Sequence, residues 1–180
     1  MRVEPDHAII RLAVNRGSAS PKTAFDEVAT TVTAVQASMR LLGVPDDHLS
    51  RSPTRMASAW IGSGPERSFV GHQCRVELWV RVGKLDMVEA VVVDAVAAGA
   101  DEVIEISYDT SQTADLRAEA REKAVAAAHA KAKLYAEAAN VRLGPVVHIE
   151  DLDPSVAGDG AAPGQVAVSA AVVLGFSITR

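Results

Sequence analysis

Residues 113–144 read TADLRAEAREKAVAAAHAKAKLYAEAANVRLG, the longest uninterrupted helical signal in the chain and the one richest in alanine. A solvated rod, a membrane-surface helix and a helix pressed against a sheet would each use that alanine differently. At about 100° per residue, Leu116, Ala120, Ala124, Ala127, Leu134, Tyr135 and Ala138 share one broad face. Asp115, Glu119, Glu122, Lys133 and Glu137 lie opposite. A sided helix is not a free rod. Its polar face mixes both charge signs and its apolar side lacks bulk, which argues against a membrane surface. Small side chains instead let the axis approach a neighbour closely, and the neighbour must then supply the volume.

Strands can supply it. His7 to Asn15 alternates, with Ile10, Leu12 and Val14 on one face. In Phe69 to Val82, the residues His72, Cys74, Val76, Leu78, Val80 and Val82 share a face opposite Gln73, Arg75, Glu77, Trp79 and Arg81. Val103–Asp109, Val146–Leu152 and Val166–Thr179 are further strands. Leu49 to Trp60 is a weaker one, broken by Pro53, and so an edge or a bulged strand. Two more helices complete the pattern. One is capped by Ser20, opens on Pro21, carries Phe25, Val28, Val32, Val35, Met39 and Leu42, and stops at Gly43 and Pro45. The other runs Leu85 to Ala98 and stops at Gly99.

The expected fold class is α+β: a mainly antiparallel sheet with three helices packed on one face, in the order β-α-β-β-α-β-α-β-β. A single domain over 1–180 is expected, with a flexible loop at about 153–164. Phe25, Val28, Val35, Leu78, Val80, Val92, Ile104, Ile106, Leu116, Leu134 and Phe176 are expected to share its core. Arg121 falls within or beside the apolar arc of the alanine-rich helix, where either its stem covers apolar surface with the charge at the rim or it pairs with a sheet carboxylate, Glu105 or Asp109.

Composition excludes several functions. The net charge of -5 comes without a basic stripe, so no nucleic-acid partner is expected. No segment approaches the roughly 20 apolar residues of a membrane-spanning helix. The start, MRVEPDHAIIRLAV, has no apolar signal region, so a cytoplasmic location is expected unless a signal peptide was removed. Cys74 stands alone, and none of His7, His48, His72, His129 and His148 is paired at metal-ligand spacing. GDGAAPG and GSGPE lack the spacing of a phosphate cradle, and there is no Gly-x-Ser-x-Gly elbow. No catalytic, cofactor-binding or metal residue is therefore assigned, and the chain is expected to be no enzyme.

Four stretches together resemble the SIMPL-domain family: VEPDHAIIRLAV, FVGHQCRVELWVRV, GADEVIEISYDTS and EAREKAVAAAHAKAKLYAEAANVRLGPVVHIED. The resemblance implies an α+β fold, a tendency to form higher oligomers, and envelope or stress-related roles in bacteria or protein interaction in animals. No catalytic residues come with it. The leading expectation is therefore a non-enzymatic self-assembling or protein-interaction module whose first partner is itself. The alternative is a small-molecule or lipid carrier with a pocket between helices and sheet. The candidate interface rests on the uncharged run Val166–Thr179 and on the outward residues of the central strand. It comprises Arg75, Trp79, Arg81, Ala167, Ser169, Ala171 and Val173, because uncharged edges invite pairing and Trp and Arg dominate interface hot spots.

Overall fold

A computed structural model describes residues 2–152 and 165–179, so the loop expected at 153–164 lies outside the described residues. The chain forms two compact units, Asp6–Asp109 and a second made of Met1–Pro5 with Thr110–Arg180. Among the described residues there are three α-helices and nine strands, every strand pair antiparallel, which makes the protein α+β. The strands divide among three sheets rather than one.

The Asp6–Asp109 unit is built on β2 (His7–Ser18), whose alternate residues Ala8, Ile10, Leu12 and Val14 are fully buried. On one side it pairs with β5 (Ser68–Val82), placing Ile10 opposite Val80, Leu12 opposite Leu78 and Val14 opposite Val76. On the other side lies β6 (Glu102–Asp109). The far edge of β5 carries β3 (Leu49–Arg51) and then β4 (Arg55–Ile61), the two pieces left when Pro53 interrupts the strand. Helix α1 (Pro21–Leu41) begins as its sequence demands: Ser20 Oγ accepts the Thr23 N–H, and Pro21 fills the first turn. Past its end Gly43 adopts φ 80°, and the Val44 N–H donates back to the Met39 carbonyl. Residues 85–87 form a 3-10 turn, so α2 starts late, at Val88–Ala97.

The core lies between this sheet and α1 and α2. Ile10, Leu12, Val14, Val28, Val35, Met39, Val76, Val80 and Val91 are almost fully buried, and Leu78 is buried beside them. Of the expected core, Val28, Val35, Leu78 and Val80 are in it and Val92 packs against it, and the other six are not. Phe25 is 47 % exposed, because the buried row of α1 runs Ala24, Val28, Val32, Val35 and Met39. Ile106 and Leu134 are also exposed, Ile104 is half-buried on β6, and Leu116 and Phe176 belong to the Thr110–Arg180 unit rather than to this core. His72 is half-buried, edge-on to the Phe69 ring, and outside the core. Its neighbour Gly71 holds φ 137° and passes so close to β2 that a Cβ there would lie 2.6 Å from the Ser18 carbonyl oxygen. Only glycine fits, and the register of β4 shifts beside it.

In the second unit, α3 (Thr113–Ala138) is the alanine-rich helix, closed by Asn140 in the left-handed region. It packs along a two-stranded ribbon of β7 (Arg142–Leu152) and β9 (Ala171–Thr179). The expected strand Val166–Thr179 is interrupted: β8 (Val166–Ala167) pairs with β1 (Arg2–Val3), and β9 resumes at Ala171. The side of α3 that is covered is a single ridge of four-residue steps. Ala120 and Ala136 are buried, and Leu116, Ala124, Ala128 and Ala132 are half-buried. The broad face with Leu134 and Tyr135 is not the covered one; both are exposed.

These burials order two substitutions. Leu78→Ala should lower unfolding stability by about 2–5 kcal/mol as a buried leucine, and Phe25→Ala by well under about 1 kcal/mol as a surface change. Urea titrations of both variants check this. A Leu78→Ala loss below about 0.5 kcal/mol would show that the inward face of β5 is assigned wrongly.

Candidate interaction surface

The outward face of β5 carries Arg75, Glu77, Trp79 and Arg81, all on the side away from α1 and α2. Arg75 is held on three sides. Its Nη1 donates to Glu102 Oε2 at 3.0 Å and to Asn15 Oδ1 at 3.3 Å, and its Nε donates to Glu77 Oε1 at 3.3 Å. The Glu102 contact is the main cause of its raised pKa, only partly offset by burial. With its charge answered, Arg75 is a fixed structural group. Trp79 is half-buried beside it, and Arg81 is exposed with its carbonyl accepting from His48 Nδ1 at 3.2 Å. Ser52, Arg55, Arg75, Glu77 and Trp79 line a hollow of about 220 Å³ where the chain detours at Pro53.

Ala167, Ser169, Ala171 and Val173, the other candidates, belong to the Thr110–Arg180 unit. Ala167, Ser169 and Val173 are exposed and Ala171 is half-buried. The ribbon they adjoin leaves much apolar surface open: Val147 and Ile149 are each 68 % exposed and Ile178 63 %. His129 of α3 meets the Phe176 ring edge-on at 5.4 Å, the main aromatic contact between helix and ribbon.

Arg121 does form an ion pair, but with a different carboxylate. Its Nε donates to Asp151 Oδ2 at 3.0 Å and its Nη2 lies 2.9 Å from the same oxygen. Asp151 is on β7, the strand that α3 packs along, whereas Glu105 lies 3.5 Å from Arg11 across the β2–β6 ladder. Both side chains of the Arg121–Asp151 pair are about half exposed, so water and salt screen it.

Sequence reasoning passed over one surface. At the end of the β4–β5 ribbon, Trp60 and Phe69 stack edge-to-face at 5.2 Å, with the Arg67 guanidinium 4.7 Å over the Trp60 ring. Met56, Ile61 and Val70 are exposed around them. The available signal was the run Met56–Gly64, which contains no charge.

Among the described residues no group of three or more His, Cys, Asp or Glu side chains could hold a metal. Cys74 is fully buried, and that burial pushes its thiol up from its ordinary value, which leaves it unreactive. A shallow hollow of about 530 Å³ lies between α2 and β6, lined by Leu85, Val88, Val92, Val93, Ile106 and Tyr108 among others. No helix among the described residues is long and apolar enough to cross a membrane.

The Arg121 geometry sets an expected coupling. A double-mutant cycle of Arg121→Met with Asp151→Asn should return about 0.2–1 kcal/mol, the range for exposed ion pairs. It should shrink further in molar salt. Zero coupling at low salt would mean that the two groups do not pair in solution.

The chain is 29% identical over 157 residues to the 26 kDa periplasmic immunogenic protein of Brucella melitensis biotype 1, covering 84% of this chain and 63% of that protein. The protein of the same name from Brucella abortus strain S19 matches equally, at 29% over 157 residues. The chain thus spans about 63% of the length of the curated relatives it matches. Both relatives are named periplasmic, which overturns the cytoplasmic location expected from the first residues. The profile of the SIMPL family, described as a protein of unknown function (DUF541), matches residues 1–176, and the chain belongs to that family.

Proposed function

We propose that this chain is a non-enzymatic module that assembles with copies of itself, in the periplasm as its relatives are named. The observation that carries this reading is the thin cover of the Thr110–Arg180 unit. Its 26-residue helix meets a two-stranded ribbon along one ridge, and Val147, Ile149, Ile178, Leu134 and Tyr135 remain exposed. A two-stranded ribbon is marginal by itself in water and gains stability when its face is covered. Exposed apolar surface of this extent marks an interaction site. The uncharged β9 adds an open edge, since among the described residues it pairs only with β7. The assigned interface residues Arg75, Trp79, Arg81, Ala167, Ser169, Ala171 and Val173 are proposed to contribute, with Trp79 as the aromatic anchor.

A second reading, a carrier of a small apolar molecule, is favoured by the hollow between α2 and β6. Its volume of about 530 Å³ and its valine, isoleucine and tyrosine lining suit such a ligand.

Native mass spectrometry of protein purified from its own host separates the two. Self-assembly predicts a multiple of 18.9 kDa at micromolar concentration, and Ile149→Glu with Ile178→Glu should lower that multiple. A monomer mass without added ligand would overturn the assembly reading. A monomer with a retained small molecule would establish the carrier instead.

A further inference from the structure

The β4–β5 ribbon ends one side of the Asp6–Asp109 sheet, and among the described residues β4 pairs only with β5. Its outer edge carries free N–H and C=O groups that another strand can satisfy. Natural edges are guarded by charge, proline or a bulge. The opposite edge strand, β6, is guarded in this way by Glu102, Glu105 and Asp109. β4 is not. From Met56 to Gly64 there is neither charge nor proline. The bulge between the two strands belongs to β5: the register steps from Ala59↔Gly71 to Trp60↔Phe69, so Val70 is the extra residue and β4 itself runs regularly.

The sequence of β4, RMASAWI, is also suited to meeting itself. We propose that a second copy of this chain pairs its β4 antiparallel with this β4, centred on Ser58, to make one sheet continuous through both copies. This rests on the reading of the chain as a self-assembling module and names one of its interfaces. In that register Met56 faces Trp60 of the second copy, and Trp60 faces Met56, so two methionine–tryptophan contacts flank the two-fold axis. Sulfur beside an aromatic ring is favourable, and each Trp60 already leans on Phe69. Ala57 faces Ala59 of the second copy, a flat pair that lets the backbones close. Arg55 faces Ile61, so no like charges meet. The contact is isologous and closes on itself as a dimer. Other registers lose these pairings. A shift by two residues in one direction brings Trp60 against Ser58, and in the other sets Arg55 against Ala59; either leaves end residues of both strands unpaired.

Ser58 is exposed, so a charge there does not reach the core. At the two-fold centre, however, Ser58→Lys sets lysine against lysine, and Ser58→Glu sets carboxylate against carboxylate. Light scattering on the full chain reads the result. Each variant alone should fall to half the wild-type mass or less, and an equimolar mixture of the two should regain it through Lys–Glu pairing. If both variants keep the wild-type mass, or if the mixture stays as small as its components, β4 pairing about Ser58 is wrong while self-assembly stands. If the wild type is itself a monomer, the assembly reading and this interface fall together.

Discussion

The antiparallel ladder between β2 and β5 is the contact on which the Asp6–Asp109 unit depends. It is unbroken from Ala8↔Val82 to Ser18↔His72. An antiparallel pair turns a period-two sequence into two faces, and a one-residue slip would exchange them completely. Here the exchange would drive Arg11, Arg75, Glu77 and Arg81 into the core, so the register is fixed by the cost of burying charge. Everything else in the unit takes its place from that ladder. The helices α1 and α2 cover the apolar face, β6 and the β3–β4 edge extend it, and the Arg75 network ties β2, β5 and β6 together on the far side. Arg16 adds a further tie, donating to the Gly99 carbonyl at 3.0 Å just past the end of α2.

The Thr110–Arg180 unit works on a different principle. Its helix has little bulk to bury, and alanine gains little from leaving water. What alanine supplies instead is helix propensity and a close approach along one ridge. The ridge Leu116, Ala120, Ala124, Ala128, Ala132 and Ala136 sits on the β7–β9 ribbon, and the remaining circumference of the helix is uncovered. The alanine of α3 is therefore for contact at short range over a narrow strip. Such a strip leaves surface open on both helix and ribbon for another molecule.

Local signals with a single physical cause were legible in the sequence: the Ser20–Pro21 start, the Gly43 stop, the alternation of β2 and β5, and Pro53 as the mark of a broken edge strand. Legibility failed where two elements had to be known together. His72 is in phase with Cys74 and keeps its register with Ser18, yet it lies outside the buried cluster at the end of the ladder. Phe25 lies on a plausible stripe of α1, yet the sheet selects the row through Ala24 and Val28. Leu134 and Tyr135 are the bulkiest residues on their arc, but a ribbon only two strands wide selects the four-step alanine ridge instead. Arg121 finds Asp151 because α3 packs along β7, a pairing that no period in the sequence encodes. The uncharged run Val166–Thr179 marks the candidates Ala167, Ser169, Ala171 and Val173, and the equally uncharged run Met56–Gly64 marks β4.

The contrast between a self-sufficient sheet unit and a thinly covered helix–ribbon unit is the central claim, and amide hydrogen exchange resolved along the chain tests it most directly. Local openings in the two regions are read separately, and assembly stabilises only what it covers. The account predicts that β2 and β5 amides exchange slowly at every protein concentration. Those of α3, β7 and β9 should exchange fast in dilute solution and slow down as concentration rises into the range where light scattering shows assembly. Equal protection of both regions in a dilute monomer would contradict it.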